Sequence, residues 1–337
     1  MSSPQDESDF TLAQQVVISI VPAISGFLSL LGSSCIIWMI LTEPRKLKSV
    51  KYRFLFCLCI SDVINSGWFI MFAPPIPKGT PGVWGAVGNY SSCNAQGFFF
   101  QFGIIGSFYN GALSLYFLKS LCSSMKDKEI ADRYEKWVHL LCVVWPLGTS
   151  VAAWFQDLYS YSGLGCWIAP EPLRCHRRDN VDCIRGENAY IFAWVYTGIP
   201  LVLLCIFILY AMSMIYYKVK EISKKADRWT INVGASIIST SSNLGGNPTD
   251  ASGSIHAEAT GRNSMSKHAK RTRDAAWQAF LYVAAYAVTH MWAFIVNTIE
   301  LGGGTTPSYL VIIQNFFWPL QGFCNVVSDA CVFHRTF

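Results

Sequence analysis

The chain has 337 residues, of which 52% are hydrophobic and only 14% are charged. This composition excludes an ordinary soluble domain, in which about a quarter of the residues carry charge, and it predicts one integral membrane domain. The net charge of +5 requires no nucleic-acid partner, because basic loops beside lipid headgroups or an acidic protein account for it.

Seven stretches are long and apolar enough to cross a bilayer, which takes about 20 residues per helix. Hydrocarbon offers the backbone no water, so each stretch must be a helix. The sequence therefore predicts an all-α membrane protein, a seven-transmembrane-helix bundle. The helices, named spans 1 to 7, are predicted near residues 15–41, 54–76, 93–118, 137–156, 189–217, 275–299 and 308–333.

Basic residues are distributed unevenly around these spans. Of the 26 Lys and Arg residues, 21 fall in segments that lie on one side of the predicted bundle. Because basic loops stay in the cytoplasm, this predicts a multi-pass membrane protein with its N-terminus outside and its C-terminus inside.

The connecting segments are mostly short. Residues 1–14 form a short extracellular tail, residues 15–333 the membrane domain, and residues 334–337 a very short cytoplasmic tail. Residues 218–273 form a long third inner loop, with a Ser/Thr/Gly-rich middle that we expect to be disordered and basic ends that we expect to be helical. The outer tail is too short to fold alone, so a ligand must use the bundle and its loops.

Four of the twelve cysteines, Cys93, Cys166, Cys175 and Cys183, fall on the predicted outer side, where disulfides form. Four cysteines allow three pairings. We favour a small loop closed by Cys175 and Cys183, which leaves Cys93 at the head of span 3 for Cys166 in the loop after span 4. Asn89 begins a glycosylation sequon on the same side.

Only two charged residues lie within the spans, Asp62 in span 2 and Asp329 near the inner end of span 7. A carboxylate in hydrocarbon is costly, so both should face the bundle interior. Helical spacing puts five span 7 residues on one face: Gln314, Trp318, Gln321, Asn325 and Asp329. We predict a hydrogen-bonded patch of Asp62, Asn65 and Asn325 that serves as a switch, or alternatively only joins the helices.

Aromatic and polar side chains in the outer half of the bundle predict a ligand cavity, although interfacial belts and ordinary packing explain aromatic residues equally well. The candidates within the spans are Gln101, Tyr109, Trp194, Tyr196, His290, Trp292, Gln314 and Trp318. The outer loop adds Trp167, Arg174 and Arg177 as further candidates, with Arg178 and Arg185 as other nearby cations.

Several chemistries are excluded by the residue types. Span 7 has no lysine for a retinal Schiff base, and only His139 and His290 lie within the spans. The chain has neither a His-Glu-x-x-His motif nor a phosphate-binding glycine loop. We expect no enzyme activity, no metal and no cofactor.

The chain resembles G protein-coupled receptors, and within them the cyclic-AMP-receptor-like class, with some similarity to secretin and adhesion receptors. The resemblance covers nearly the whole membrane domain and includes Cys93 and Cys166. The matching segments are Leu58-Cys59-Ile60-Ser61-Asp62, Ala112-Leu113-Ser114-Leu115-Tyr116, Gly165-Cys166-Trp167-Ile168 and Pro319-Leu320-Gln321-Gly322-Phe323-Cys324-Asn325.

This resemblance implies that an extracellular small ligand, such as a cyclic nucleotide, repacks spans 5 to 7. The opened inner face would then engage a heterotrimeric G protein through basic residues: Lys119, Lys220, Lys224, Lys225, Lys270, Arg271 and Arg273. Two other functions stay open, a small-solute transporter or channel and a receptor-like scaffold that does not couple.

The chain also departs from its relatives. The triplet Asp132-Arg133-Tyr134 falls in the loop before span 4, so Lys119 is the expected basic residue at the inner mouth. Asp329 stands where relatives have Tyr, and we hypothesise that it pairs with Lys119 or with a base of the first inner loop. Span 6 has no proline hinge.

Overall fold

The structure is a computed structural model that describes residues 10–173, 175, 182–242, 248–301 and 306–336. Its described part is helical apart from one short hairpin and the loops. The helices are α1 (Leu12–Leu41), α2 (Val50–Ile70), α3 (Tyr90–Phe102), α4 (Ile105–Phe117), α5 (Asp127–Ile130), α6 (Lys136–Phe155), α7 (Ala189–Ala193), α8 (Ile199–Ser242), α9 (Pro248–Leu301), α10 (Ser308–Phe317) and α11 (Gln321–Thr336).

These helices form seven membrane-length segments, so the prediction of a seven-helix membrane bundle is confirmed. Spans 1 and 2 are α1 and α2, span 3 is α3 with α4, and span 4 is α5 with α6. Span 5 is α7 with the first part of α8, span 6 is the last part of α9, and span 7 is α10 with α11. Six of them are long, apolar helices by length and composition, and span 3 completes the set although it is interrupted.

The interruption in span 3 was not predicted from the sequence. The α-helix is interrupted at two residues, Gly103 and Ile104, which form a turn. The side-chain amide of Asn65 in span 2 donates to the Gly103 carbonyl at 3.2 Å. A Cβ atom on Gly103 would lie 2.1 Å from the Asn65 side chain. Glycine at this position therefore allows a polar side chain of span 2 to enter the break.

Prolines shape two other spans. Span 2 ends at Ile70, earlier than the predicted residue 76, because Pro74 and Pro75 follow and cannot continue a helix. Span 7 tightens into a 3-10 turn at Trp318–Leu320, which contains Pro319.

A lid covers one end of the bundle. Strands β1 (Tyr159–Tyr161) and β2 (Cys166–Ile168) form an antiparallel hairpin. Disulfides join Cys93 to Cys166 and Cys175 to Cys183, which is the pairing that the sequence favours. We call this the disulfide end, and we call the opposite end, where the loops containing Arg45–Arg53 and Lys119–Lys136 lie, the basic end.

Helices extend into the third inner loop from both of its ends. The backbone of α8 is helical as far as Ser242, and α9 begins at Pro248, while residues 243–247 lie outside the described part. Ion pairs along one helix face explain the start of this extension, because Glu221 contacts Lys218 at 3.3 Å and Lys225 at 2.6 Å.

Spans 1 and 7 cross at two glycines. A Cβ atom on Gly32 would lie 2.7 Å from the Gly322 carbonyl oxygen, and one on Gly322 would lie 2.0 Å from the Ser33 hydroxyl. The Gly322 N–H donates to the Ser29 hydroxyl at 2.9 Å. Small residues let the two backbones approach closely, which is how helices associate in lipid.

We predict that Gly322→Ala destabilises the protein by about 1–3 kcal/mol, because the added methyl group has no room beside Ser29 and Ser33. Gly148→Ala is the matched control, since nothing lies within 4 Å of its Cβ position. Thermal unfolding of the two purified variants measures the difference. Equal melting temperatures would contradict the close crossing.

Candidate functional site

A chain of buried hydrogen bonds crosses the middle of the bundle. The Thr289 hydroxyl of span 6 donates to Gln321 Oε1 at 2.6 Å, and Gln321 Nε2 donates to Asn325 Oδ1 at 3.1 Å. Asn325 Nδ2 then donates to Asp62 Oδ2 of span 2 at 3.1 Å. Each hydrogen bond in this series is donated in the direction of the Asp62 carboxylate. The series therefore links spans 6, 7 and 2.

Span 1 joins the same chain through Ser33, whose hydroxyl donates to Asp62 Oδ2 at 3.4 Å. Asp62 and Asn325 are 5% and 0% exposed, so these bonds have no competition from solvent. Charge-assisted bonds inside a bundle are strong only while their geometry holds. Four spans therefore depend on one carboxylate for their relative positions.

Asn65 does not belong to this chain, contrary to the predicted patch of Asp62, Asn65 and Asn325. It lies on the same helix face as Asp62, but it binds the Gly103 carbonyl. The break in span 3 exposes a backbone acceptor beside it, and that acceptor replaces the predicted partner. The direct contact between Asp62 and Asn325 is present.

Asp329 anchors a second polar cluster at the basic end. Its Oδ1 accepts from the Tyr282 hydroxyl at 3.0 Å and from Gln278 Nε2 at 3.1 Å, both of span 6. Gln278 Oε1 accepts from Lys51 Nζ of span 2 at 3.1 Å. The first-loop base that we hypothesised as a partner of Asp329 is thus linked to it through Gln278.

Lys119 does not contact Asp329 in the described structure. Its Nζ lies 5.0 Å from the centroid of the Tyr134 ring, on the second inner loop. The triplet Asp132-Arg133-Tyr134 occupies a π-helical turn at Ala131–Glu135, before α6. The triplet therefore lies in a helical segment that joins α5 to α6, and not in a loop before span 4 as the sequence predicts.

The second inner loop is fixed to the start of span 2. Asp127 Oδ2 accepts from the Val50 N–H at 3.1 Å and so caps α2 from another segment. Arg53 forms a bidentate contact with Glu135. Beside it lies a shallow depression of about 560 Å³, lined by Lys126, Lys128, Glu129, Asp132 and Arg133.

The basic residues expected to face a partner are mostly exposed. Lys220, Lys224, Lys225, Lys270 and Arg273 have exposed side chains. The side chain of Arg271 lies outside the described part. They lie next to the ends of spans 5 and 6 at the basic end.

The predicted ligand residues do not form one cavity. Tyr109 lies eight residues from Gln101, about 12 Å along the helix, and its hydroxyl contacts His139 Nδ1 at 2.9 Å in the basic half. Trp194 packs on Gly198 of its own turn. The Tyr196 hydroxyl meets Gln156 at the edge between spans 4 and 5.

Gln101 acts as a structural junction. Its Nε2 donates to the Thr149 hydroxyl at 3.1 Å, and its Oε1 accepts from Trp167 Nε1 at 2.9 Å and from the Thr197 hydroxyl at 3.0 Å. It is 0% exposed. These bonds join spans 3, 4 and 5 to the lid, and the Gln101 amide oxygen accepts from two donors.

His290 is likewise paired within the protein. Its Nδ1 lies 2.9 Å from the Thr289 hydroxyl and 3.1 Å from the Tyr286 carbonyl oxygen, and its ring stacks on Tyr286. It extends the polar chain rather than facing an open cavity.

Span 7 and span 6 carry buried polar atoms that lack partners. These atoms are Trp292 Nε1, Gln314 Oε1 and both side-chain polar atoms of Asn315. Gln314 and Asn315 are 2% and 1% exposed. An unpaired buried polar group costs about 1–3 kcal/mol. Trp292 and Gln314 are predicted ligand residues, whereas Asn315 lies off the predicted polar face of span 7 and has no such signal in the sequence.

The lid is tied to span 3 by Arg185. Its Nη2 donates to Asn94 Oδ1 at 3.2 Å and to the Tyr159 carbonyl at 3.0 Å, and its guanidinium lies over the Tyr90 ring. Burial raises the pKa of the Tyr161 hydroxyl, which stays protonated and donates to Gly163. Arg174 and Arg177 lie outside the described residues.

Asn89 caps α3 at the disulfide end. Its Oδ1 accepts from the Ser92 N–H at 3.0 Å, and the Ser92 hydroxyl accepts from the Asn89 N–H at 2.8 Å. Asn89 is exposed. The capping bond uses the side-chain oxygen of Asn89, and the residue stays exposed at the position where a glycan would be attached.

No family model and no curated protein matches the chain. Among solved structures, the crystal structure of squid rhodopsin is similar, with a TM-score of 0.58 and 13% sequence identity over 98% of this chain and 81% of that chain. This likeness shows the fold alone. The chain is a multi-pass membrane protein with the seven-helix fold that squid rhodopsin has.

We predict that Gln321→Leu destabilises the protein by about 1–3 kcal/mol, because it leaves the buried Asn325 Oδ1 without its donor. Phe323→Leu is the control, since Phe323 is 40% exposed two residues away. Thermal unfolding in a lipid nanodisc gives the comparison. A Gln321→Leu variant as stable as its control would show that the chain of bonds contributes nothing.

Proposed function

We propose that the protein is a cell-surface receptor that senses an extracellular ligand and activates a heterotrimeric G protein. The observation that carries this proposal is the continuous polar chain from Thr289 to Asp62, which joins the middle of span 6 to spans 7, 2 and 1. The fold shared with squid rhodopsin supports it. So does the resemblance to the cyclic-AMP-receptor-like class.

The orientation follows from chemistry at the two ends. Disulfides require an oxidising compartment, so the disulfide end faces outside. Basic loops stay in the cytoplasm, so the basic end faces inside. The plasma membrane is the bilayer in which such a receptor meets an extracellular ligand.

Activation then means a change at both ends. A ligand shifts the balance between two packings only by binding one of them more tightly. Span 6 is the element that connects the ends, because Thr289 belongs to the central chain while Gln278 and Tyr282 hold Asp329. Movement of span 6 away from span 7 opens the basic end to the G protein.

Agonist-independent nucleotide exchange against a panel of Gα subunits tests coupling directly. We expect exchange with at least one subunit to rise when the purified protein is added in nanodiscs. Silence with every subunit, alongside normal surface display, would instead indicate a receptor-like scaffold that does not couple.

Asp62→Asn should change basal exchange about fivefold, because the amide keeps the shape but exchanges charge-assisted bonds for neutral ones. Surface display should remain close to that of Asp157→Asn, a control at a 77% exposed side chain. If display of Asp62→Asn is lost instead, Asp62 has only a structural role.

Tyr282→Phe should raise basal exchange about tenfold, because it removes one of the two span 6 donors to Asp329 and so favours the open packing. Tyr216→Phe, at an exposed tyrosine of span 5, is the matched control. Unchanged exchange in Tyr282→Phe would mean that the Asp329 cluster does not restrain the basic end.

A second candidate function is a small-solute transporter or channel. The observation that favours it is the interruption of span 3 at Gly103 and Ile104, since broken helices line the pathways of transporters. Flux of small solutes into liposomes separates the two functions. A receptor shows no flux above that of protein-free vesicles.

A further inference from the structure

The two halves of the bundle differ in how their buried polar atoms are paired. Among the side chains that the structure describes, every unpaired buried polar atom lies in the disulfide half of the spans or in the lid. Within the spans, the residues concerned are Asn65, Ser66, Trp292, Gln314 and Asn315. The described hydrogen-bonded side chains around Asp62, in the middle of the bundle, and around Asp329, at the basic end, include no unpaired buried polar atom.

These atoms lie beside an aromatic wall. The Trp318 ring packs against Phe69 at 5.5 Å and Phe100 at 6.4 Å between centroids. The Trp292 ring stacks on Phe317 at 5.8 Å. Because Gln314 is three residues from Phe317 and four from Trp318, its side chain shares their faces of the helix.

The lid closes this region from the disulfide end. The Cβ position of Gly165, between β1 and β2, is 3.3 Å from Phe100 and 3.3 Å from Phe72. The Gly165 turn is held by Cys166, which is bonded to Cys93 and whose N–H donates to Gln96. The aromatic wall and the unpaired polar atoms thus lie under a fixed cover.

The parts of the spans around these atoms carry no charged side chain. No Lys, Arg, Asp or Glu occurs in residues 63–77, 94–118, 275–299 or 306–328. Arg185 of the lid contacts Asn94, Tyr159 and Asp157, although its buried Nε lacks a partner. A phosphate or carboxylate placed among Gln314, Asn315 and Trp292 would lose its hydration without gaining a cation.

We propose that Gln314, Asn315 and Trp292 form the polar part of a binding site for an uncharged ligand with an aromatic body and a carboxamide-like group. Trp292 and the Asn315 amide nitrogen donate, and Gln314 and the Asn315 oxygen accept, so the ligand must offer both an acceptor and a donor. The inference rests on the proposed receptor function and makes a cyclic nucleotide, which carries a phosphate, a poor ligand.

The first arm of the test uses no ligand. If these polar side chains serve ligand binding, apolar side chains of the same shape should stabilise the ligand-free protein, because they leave no polar atom unpaired. Gln314→Met and Asn315→Leu should each raise the melting temperature in nanodiscs by about 2 °C or more, whereas Gln321→Leu in the paired chain should lower it. An unchanged or lower melting temperature in both variants would overturn the proposal.

The second arm measures binding with probes of matched shape. We expect at least one of benzamide, nicotinamide and indole-3-acetamide to raise the melting temperature of the full chain. Gln314→Met and Asn315→Leu should abolish that rise. Benzoate, nicotinate, indole-3-acetate and cyclic AMP should produce no rise. Stabilisation by an anionic probe, or by none of the amides, would overturn the proposal.

Neither arm involves a G protein, so the result is independent of coupling. An amide that binds to a protein silent in nucleotide exchange would keep the site and remove the signalling function. Exchange with a Gα subunit combined with failure of both arms would keep the receptor and remove this site.

Discussion

The structure depends on the cost of burying a polar group without a partner, which favours hydrogen bonds between neighbouring helices. Asp62 meets this constraint by accepting from Ser33 and Asn325. Through Gln321 and Thr289 the constraint extends to span 6. The positions of four helices therefore follow from satisfying one buried carboxylate, and the crossing at Gly32 and Gly322 brings them close enough to do so.

The same constraint gives the two ends different characters. At the basic end, Asp329 accepts hydrogen bonds from Gln278 and Tyr282 of span 6, and Asp127 attaches the second inner loop to span 2. These bonds close the basic end. At the disulfide end, covalent bonds hold the cover while polar atoms beneath it lack partners. An end that is rigid but unsatisfied suits ligand binding, and an end that is satisfied but breakable suits regulation.

Part of the site followed from helical spacing. Asn325 and Gln321 were identified because they share a face of span 7, and the contact of Asn325 with Asp62 was expected from two facing helices. Asn65 was misassigned because a break in span 3 leaves no pattern beyond a glycine. Gln278 and Tyr282 were missed, although their spacing of four residues places them on one face of span 6 and offered a signal.

The sequence alone determined the number of apolar spans, the uneven charge of the loops and the residues available for disulfides, because hydropathy and charge act locally along the chain. Only the tertiary structure decided which polar groups meet. Tyr109 and Gln101 belong to one span, yet one contacts His139 in the basic half and the other joins three spans to the lid. Hydrogen bonds depend on distances of about 3 Å, and such distances arise only when separate helices pack.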